Sequence, residues 1–464
     1  PTMTFVNREK RVELKVRDEF MAFSGVQKPE ARIEDAEVVF VGYGIVAPEY
    51  QWDDYKGVDV RGKVLLMMNN DPEDDPNLFA GKTRLWYGRW DYKYEIAAKK
   101  GAVGAIIIHT HHSAGYPWQV VQTSWSGERF ELPDEGGPRA QIKMWATEDA
   151  SRRIAALGGR DLDRLRASAE KRDFRPVPLG ARLSFALTDE LKKTESANVL
   201  GELPGSDSKL AGEVVVYTAH HDHLGIKRGA KPGPSAVASA KADDVIYNGA
   251  LDNASGVAAI LSVASAFADL PKAPRRTVLF AFVAAEEQGL LGSEYLARHP
   301  PVAPGRIAAN INLDGINWFG RTRDLSLIGL GKSSLDETVV ALAKMQGRIL
   351  KPDQFPDRGT FYRSDQFNFA KIGVPAAYLK AGTDVIGKPE GWGREQIEKY
   401  EKTDYHQPSD EYRDSWDLSG AVEDAQLCFL LGVRVADADT MPRWNSGDEF
   451  EAARKKAFSD LEAR

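Results

Sequence analysis

The sequence predicts an α/β fold with a mixed, mostly parallel sheet flanked by helices, accompanied by a smaller β-rich domain. Three observations support this. The chain has 464 residues, more than one ordinary core accommodates, so two domains are expected. From about residue 176 onward, near-continuous apolar strands alternate with amphipathic helices, which is typical of a parallel sheet covered on both faces. Residues 33–175 instead carry short β-type runs separated by turn residues.

The smaller region contains three predicted strands and one predicted helix. The strands read "AEVVFVGYGIV", "GKVLLMMNN" and "GAVGAIIIHT", and each is bounded by Gly, Asn or Asp. The helical pattern "YKYEIAAKKGA" lies between the last two strands. The nearby aromatic stretch at 86–94 is compatible with a substrate cleft, a subunit contact or packing between domains.

The larger region alternates strand, helix, strand, strand. The segments are "EVVVYTAH", "ASGVAAILSVASAFADL", "TVLFAFVAAEE" and "IAANINLD". Polar side chains follow these strands: His220, the pair Glu286 and Glu287, and Asp314. Because ligands of open α/β sheets bind beyond the carboxyl ends of the strands, we expect these side chains to converge. The low-complexity segment 229–244 is interpreted as a loop that either gates this edge or is a disordered insertion.

Composition excludes several classes of protein. The net charge of −7 argues against a nucleic-acid binder, whose domain is usually basic. No apolar run approaches the roughly 20 residues that cross a bilayer, so no membrane span is expected. The single cysteine, Cys428, rules out an internal disulfide framework and any Cys-rich zinc site.

The segment "YTAHHDHLG" contains an H-x-D pair, His220 and Asp222. At the strand period of two, both side chains can face one side, so the carboxylate can accept from the imidazole and fix its tautomer. The alternative is a solvated loop of histidines without a metal. In "NGALDNASGVAAI", Asp252 is either a metal ligand or the N-cap of the following helix.

The neighbouring Glu286 and Glu287 cannot both point at one metal from an extended chain, so one is expected to ligate and the other to act as base. Asp314 in "NLDG" and His406 in "TDYHQPSDEY" complete the set, although each residue taken singly is more often structural. Two histidines and three carboxylates without sulfur suit zinc, cobalt or manganese. Shared evenly, they supply two metals with one carboxylate in common, the arrangement of two-metal hydrolases.

Five segments occur in order over about 190 residues: "AHHDHLG", "ALDNASG", "AAEEQGLLGS", "INLD" and "YHQPSDEY". Together they resemble the di-zinc aminopeptidases, the zinc exopeptidases related to glutamate carboxypeptidase II and the transferrin receptor. Residues 33–175 resemble the protease-associated domain that many members carry, through "VFVGYGIVAPEYQWDDYKGVDVRGKVLL" and "AAKKGAVGAIIIHT". The resemblance therefore covers most of the chain.

The resemblance implies a role for each ligand. His220 and Asp314 would bind one zinc, Glu287 and His406 the other, and Asp252 would bridge them. The family commonly has a cis peptide after the bridging aspartate, which here joins Asp252 to Asn253.

The resemblance also implies the catalytic groups. Glu286 would be the general base for a water activated by two Zn²⁺ ions, with Co²⁺ or Mn²⁺ as substitutes, and Asp222 would support His220. The segment "GTFYRSDQ" matches the family near the substrate, so Tyr362 or Arg363 is the expected donor to the oxyanion.

Two departures from the family pattern are visible. The chain reads Ser364-Asp365-Gln366 where members often read Ser-Asp-His, and we expect Gln366 to affect the pocket rather than the metals. Relatives also carry a longer segment before the protease-associated domain. Residues 1–32 are therefore interpreted as an N-terminal remnant of the peptidase domain, and residues 176–464 as its catalytic part.

The leading expectation is an aminopeptidase acting on peptides with a free N-terminus, in the bacterial periplasm, the cell envelope or outside the cell by resemblance. A di-zinc dipeptidase or carboxypeptidase stays open, because the residues that recognise a free amine or carboxylate lie outside the motifs. A receptor-like binding protein is disfavoured, since that route usually removes ligands or the base. The sequence does not define the oligomeric state or the side-chain preference.

Overall fold

The computed structural model describes residues 2–72, 75, 78–81, 83–114, 116–226 and 244–463. It divides into two compact units, one formed by Pro1–Thr194 with Phe355–Gly359 and the other by Glu195–Gln354 with Thr360–Arg464. Apart from Asp244, the predicted loop 229–244 lies outside the described residues.

The first unit contains ten strands and five α-helices among its described residues. The strands are β1 Thr2–Asn7, β2 Lys10–Lys15, β3 Phe20–Ser24, β4 Glu30–Phe40, β5 Val46–Ala47, β6 Trp52–Asp53, β7 Val64–Met68, β8 Gly104–His109, β9 Ile142–Thr147 and β10 Val177–Thr188. The helices are α1 Trp90–Lys99, α2 His111–Ala114, α3 Trp118–Ser124, α4 Glu148–Leu157 and α5 Leu162–Ala169. Eight strands form one sheet in the order β2-β1-β10-β4-β7-β8-β9-β3. The three predicted strands and the predicted helix are confirmed as β4, β7, β8 and α1.

The aromatic stretch at 86–94 packs inside the first unit. Tyr87, Tyr92 and Tyr94 are buried members of its hydrophobic core. The ring of Trp90 meets that of Trp125 edge to face, with centroids 5.7 Å apart. Such pairs stabilise a core beyond the area they bury, so these three tyrosines contribute to the unit's own packing.

The domain boundaries differ from the expected ones at both ends of the smaller region. β1 pairs antiparallel with β10, and β3 pairs with β9, so the first strands of the chain complete the sheet of the first unit. Residues 1–32 therefore lie in the same compact unit as residues 33–175, and this unit extends to Thr194. The pairing partners of β1 and β3 are distant in sequence, and pattern alone does not reveal such partners. The assignment of residues 33–175 as a protease-associated domain stays a prediction.

The second unit contains nine strands and seven α-helices among its described residues. The strands are β11 Val199–Leu203, β12 Val214–His220, β13 Gly225–Ile226, β14 Ile246–Tyr247, β15 Thr277–Val283, β16 Ile307–Asn312, β17 Asp324–Ile328, β18 Ile349–Pro352 and β19 Ala376–Ala381. The helices are α6 Ser255–Ala268, α7 Leu291–Arg298, α8 Leu335–Met345, α9 Gln366–Lys371, α10 Trp392–Thr403, α11 Ser419–Asp437 and α12 Glu451–Glu462.

Seven strands of the second unit form a mixed, mostly parallel sheet in the order β11-β15-β12-β16-β19-β17-β18. Strands β15, β12, β16 and β19 run parallel, and β11 is antiparallel to β15. β12 is buried along its whole length, as a strand covered on both faces should be. The predicted mixed, mostly parallel sheet is thus confirmed.

Helix α6 packs on this sheet beside α11. With the helical turn before it, α6 forms a 19-residue segment, Ala250–Ala268, that is long and apolar enough to cross a membrane. In the part of the chain that the structure describes, no second helix passes that test. Ile260, Val263 and Phe267 of α6 lie in the core of the unit, as in a helix packed on a sheet.

Candidate metal centre

Three parallel strands bring the predicted residues to one edge of the sheet. In the register of the sheet, Thr218 of β12 lies beside Asn312 of β16, and His220 beside Val283 of β15. His220 therefore ends β12 where the chain after β15 leads to Glu286 and Glu287, and where the chain after β16 leads to Asp314. The expected convergence at the carboxyl ends of the strands is confirmed.

Asp252 lies between two groups of ligands. Its Oδ1 is 3.1 Å from Nε2 of His220, and its Oδ2 is 3.2 Å from Nε2 of His406. Nε2 of His220 is also 3.7 Å from Oδ1 of Asp314, and Nε2 of His406 is 3.0 Å from Oε2 of Glu287. One carboxylate thus offers one oxygen to each of two His-carboxylate groups, which is what a bridging ligand requires.

The local backbone shows why Asp252 is not a helix cap. Asn253, the next residue, accepts the backbone N–H of Gly256 at 3.0 Å and of Gly315 at 2.8 Å through its Oδ1. Asn253 therefore satisfies the start of α6 and leaves the carboxylate of Asp252 free to face the histidines. The expected cis peptide between Asp252 and Asn253 is confirmed.

The glycine of the "ASG" segment permits a close approach of helix and strand. A Cβ on Gly256 would lie 2.2 Å from Oδ1 of Asn253 and 2.5 Å from the backbone oxygen of Leu313. Any side chain here would push the start of α6 away from the residue before Asp314. Glycine at this position therefore lets the segment carrying Asp252 lie against the end of β16.

The donor set fits zinc. Nε2 of His220, His223 and His406 is buried in each case and makes no well-aligned hydrogen bond within the protein, although carboxylate oxygens lie close to it in His220 and His406. A buried nitrogen without a partner is costly unless something else binds it. Ligand atoms around a tetrahedral zinc with bonds of about 2.0–2.1 Å lie about 3.3 Å apart, close to the separations within the cluster. His220, Asp252 and Asp314 form one group with ligand atoms within 4.8 Å, and His223, Asp252 and Glu287 form a second.

The charges of the cluster also favour a cation. Burial opposes charge on His406, but its ion-pair contacts with the carboxylates of Asp252 and Glu287 raise its pKa to about 9. Burial would raise the pKa of Asp252, and its ion-pair contacts with the two histidines instead lower it to about 2. Asp314 is buried too, yet the charge of Lys380 and the contact with His220 hold its pKa well below the usual range. The carboxylates are therefore ionised, and without metal the histidines take up protons to balance them.

Asp222 supports the site differently from the expectation. Nδ1 of His220 lies 3.1 Å from the backbone oxygen of Asp222, while the carboxylate is 3.8 Å away. The carboxylate accepts the backbone N–H groups of Glu286 at 3.0 Å and of Glu287 at 3.3 Å. Asp222 thus orients His220 through its carbonyl and holds the glutamate pair through its side chain.

Glu286 is a buried carboxylate among the other acidic groups of the cluster. It follows Ala285, which has a left-handed φ of 56°, a conformation that a non-glycine residue adopts only where its surroundings hold it. Burial raises the pKa of Glu286 well above its usual range, and the nearby carboxylates Asp314 and Glu287 add to this against the opposing charge of His220. A carboxylate with a raised pKa is a competent general base.

The two predicted oxyanion donors differ in exposure to solvent and in the groups they contact. Tyr362 is 2% exposed, and its hydroxyl donates to Oε1 of Glu449 at 2.5 Å. Arg363 is exposed, and its charge acts on Tyr405 next to His406. A catalytic role for Tyr362 stays a prediction, and its hydroxyl is engaged with Glu449.

Sequence reasoning missed several residues of the site. Nδ1 of His223 lies 2.7 Å from Oε1 of Glu287. The hydroxyl of Tyr378 donates to Oδ2 of Asp314 at 3.2 Å. The ring of Tyr405 stacks on His406 with centroids 3.9 Å apart. His223 and Tyr405 lie within the recognised motifs, so proximity in sequence was the signal, whereas Tyr378 comes from a strand without one.

Gln366 is a buried residue that is linked to the predicted ligand Asp314 through hydrogen bonds. It is fully buried, accepts from Nδ2 of Asn312 at 2.8 Å and donates to the backbone oxygen of Phe361 at 2.7 Å. Asn312 also donates to Ser364 at 2.8 Å, and Ser364 hydrogen-bonds Asp314. The departure from the Ser-Asp-His pattern is therefore accommodated by a polar network that reaches a ligand, which differs from the expected effect on the pocket.

Comparison with known proteins gives a distant match along most of this chain and a local one. A probable glutamate carboxypeptidase of Arabidopsis thaliana is 25% identical over 92% of this chain, which spans 58% of that relative's length. A probable zinc metalloprotease of Pyrenophora tritici-repentis is 48% identical over 66 residues, or 14% of this chain and 15% of the relative.

Two solved structures are similar over most of the chain. An aminopeptidase from Aneurinibacillus sp. strain AM-1 has 20% identity and a TM-score of 0.41, covering 96% of this chain and 81% of that one. A zinc aminopeptidase from Bacillus subtilis has 18% identity and a TM-score of 0.39, covering 97% and 85%.

The profile of peptidase family M28 matches residues 198–430, just over half of the chain. The matched segment contains all five predicted ligands and Glu286. On the extent of this match, the chain belongs to peptidase family M28.

Proposed function

We propose that the protein is a zinc-dependent aminopeptidase that removes residues from the N-terminus of peptides with two metal ions and Glu286 as general base. The observation that carries the proposal is the position of Asp252, with one oxygen facing His220 and the other facing His406. This symmetry supports two adjacent cation positions, the pattern of two-metal hydrolases.

The ligands divide between the two positions. His220 and Asp314 would hold one ion, Glu287 and His406 the other, and Asp252 would contact both. Bound zinc supplies Lewis acidity and makes a water nucleophilic near neutral pH. Glu286, anchored through its backbone N–H by Asp222, takes a proton from the attacking water and returns it to the leaving amine.

Tyr405 is a better-placed donor to the oxyanion than Tyr362. Its side chain is 37% exposed and its ring lies against His406, whereas the hydroxyl of Tyr362 is bonded to Glu449. Removing one such donor typically lowers kcat 10²- to 10³-fold. We expect Tyr405→Phe to lower kcat by about that factor and Tyr362→Phe to act mainly on stability. The reverse ranking would return the role to Tyr362.

A carboxypeptidase is the second candidate function. Exposed Arg363 could bind a substrate carboxylate bidentately, and the Arabidopsis relative is named for that activity. Arg363→Met separates the two: it would abolish hydrolysis of peptides with a free C-terminus in a carboxypeptidase and leave an aminopeptidase active on C-terminally amidated peptides.

Chelation and a base variant test the proposal together. Metal-free protein should be inactive on leucyl peptides and recover with two equivalents of zinc. Glu286→Gln should bind both zincs and lose about 10²- to 10⁴-fold in kcat, the usual contribution of a general base. Full activity in the presence of a strong chelator, or a wild-type rate in Glu286→Gln, would overturn the proposal.

A further inference from the structure

Asp410 lies at the centre of a connection between two sequence-distant parts of the metal centre. It is 1% exposed and follows His406 by four residues in the same loop. Its carboxylate accepts the backbone N–H of Leu251 at 3.0 Å and of Asp252 at 3.1 Å. Its backbone oxygen accepts the N–H of Ala250 at 3.1 Å.

These bonds join the loop of His406 to the segment that presents Asp252. A further contact lies beside them, where Nδ2 of Asn248 donates to the backbone oxygen of Pro408 at 3.0 Å. His406 itself has a left-handed φ of 58°, a conformation that needs external support in a residue other than glycine. Several hydrogen bonds therefore hold the loop on the 248–252 segment. The buried carboxylate of Asp410 accepts more of them than the backbone oxygen of Asp410 or of Pro408.

Both oxygens of the Asp410 carboxylate accept hydrogen bonds from the protein. Its Oδ2 also accepts the hydroxyl of Tyr400 at 3.2 Å, so both oxygens face donors from the protein. Charge-assisted hydrogen bonds of this kind are about twice as strong as neutral ones. The residue thus acts through the backbone of Asp252 and not as a ligand.

We propose that Asp410 is a positioning residue that sets the separation between Asp252 and His406 and thereby builds the metal position that Glu287 completes. This rests on the proposed two-metal site but not on its catalytic activity. Residues that orient metal ligands typically change metal affinity 10- to 100-fold when replaced. Asp410 should therefore control affinity at this position more than at the position formed by His220 and Asp314.

The test measures zinc binding to the full-length metal-free protein by competition with a chromophoric chelator. Asp410→Asn, which keeps one acceptor oxygen, should bind one of the two zinc equivalents about 10- to 100-fold less tightly, and Asp410→Ala at least as weakly. Asp404→Asn is the matched control, because Asp404 lies in the same loop and contacts Arg413 at 2.9 Å instead of the 250–252 backbone. It should leave both affinities unchanged.

Thermal unfolding in chelator separates positioning from a purely structural role. A structural residue would lower the Tm of the metal-free protein while both zinc affinities at 20 °C stay at the wild-type value, and that result would overturn the proposal. A wild-type protein that binds a single zinc would overturn it too. A wild-type protein that binds two zincs without cleaving peptides would refute the proposed function and leave the role of Asp410 standing if Asp410→Asn still weakens binding.

Discussion

His223 offers the most detailed test of how the protein holds a metal ligand. Its side chain is 8% exposed, and its Nδ1 lies 2.7 Å from Oε1 of Glu287, whose other oxygen lies 3.0 Å from His406. A carboxylate only accepts hydrogen bonds, so Nδ1 of His223 carries the proton. Gly249 makes room for the ring, because a Cβ there would lie 2.7 Å from Cγ of His223. His223→Phe removes the donor, and His223→Asn keeps a donor near the same place.

The expected effect follows from the strength of this bond. Hydrogen bonds to charged groups contribute about 1.5–3 kcal/mol, and each 1.4 kcal/mol is a factor of ten in affinity. Loss of the donor frees Glu287 to turn away from His406, so His223→Phe should weaken the zinc that these two residues bind by about 10- to 100-fold. His223→Asn should recover most of that affinity.

Zinc competition with a chromophoric chelator measures the effect, and Co²⁺ spectra show whether the coordination changes. His221→Phe is the matched control, since His221 is exposed, one residue from His220, and its ring contacts the backbone oxygen of Ala197 at 3.1 Å instead of a carboxylate of the cluster. Two zincs bound to His223→Phe at wild-type affinity would refute the reasoning. Equal losses in His221→Phe and His223→Phe would also refute it.

Three further predictions concern packing, pH and the support of the base. Gly432→Ala should destabilise the second unit by about 1–3 kcal/mol through overpacking, because a Cβ would lie 1.9 Å from the hydroxyl of Tyr217. Denaturant unfolding should show partial rescue by Tyr217→Phe, and additive free-energy losses of the two substitutions would contradict the clash. Burial raises the pKa of Asp424 to about 6 despite its 2.6 Å contact with Arg348. The stability that this group contributes is therefore present below about pH 4 and is lost as pH rises through 6. Unfolding of the metal-free protein should show this loss relative to Asp424→Asn, and parallel pH curves of the two proteins would exclude it. Asp222→Asn should lower kcat with both zincs retained, since one acceptor for the glutamate pair is lost; zinc loss without a fall in kcat would speak against that role.

Much of the site could be predicted because its residues follow strands in the sequence. His220 ends β12, and Glu287 and Asp314 lie in the short segments after β15 and β16, so the order of the parallel strands brings them together. His406 was predicted as a candidate from its residue type, and its assignment to one metal came from the resemblance, since its loop has no periodic pattern and depends on bonds to the 248–252 segment. Asp252 shows the limit of a local interpretation: the side chain that accepts an N–H at the start of α6 is that of Asn253, and the sequence does not distinguish the two.

The remaining differences come from contacts between distant residues. The pairing of β1 with β10 makes the first strand of the chain part of the first unit, and no local signal in the sequence specifies such a partner. Tyr378 reaches Asp314 from β19, a strand whose sequence carries no motif. These contacts depend on tertiary packing, which overrides local pattern.

The most direct test of the central claim is hydrolysis of leucine p-nitroanilide beside its N-acetylated twin, using zinc-loaded protein and Glu286→Gln as the control. The account predicts cleavage of the free-amine compound alone by the wild type, and its loss in the variant. Cleavage of both compounds would remove the requirement for a free N-terminus. Cleavage of neither, with two zincs bound, would contradict the aminopeptidase assignment.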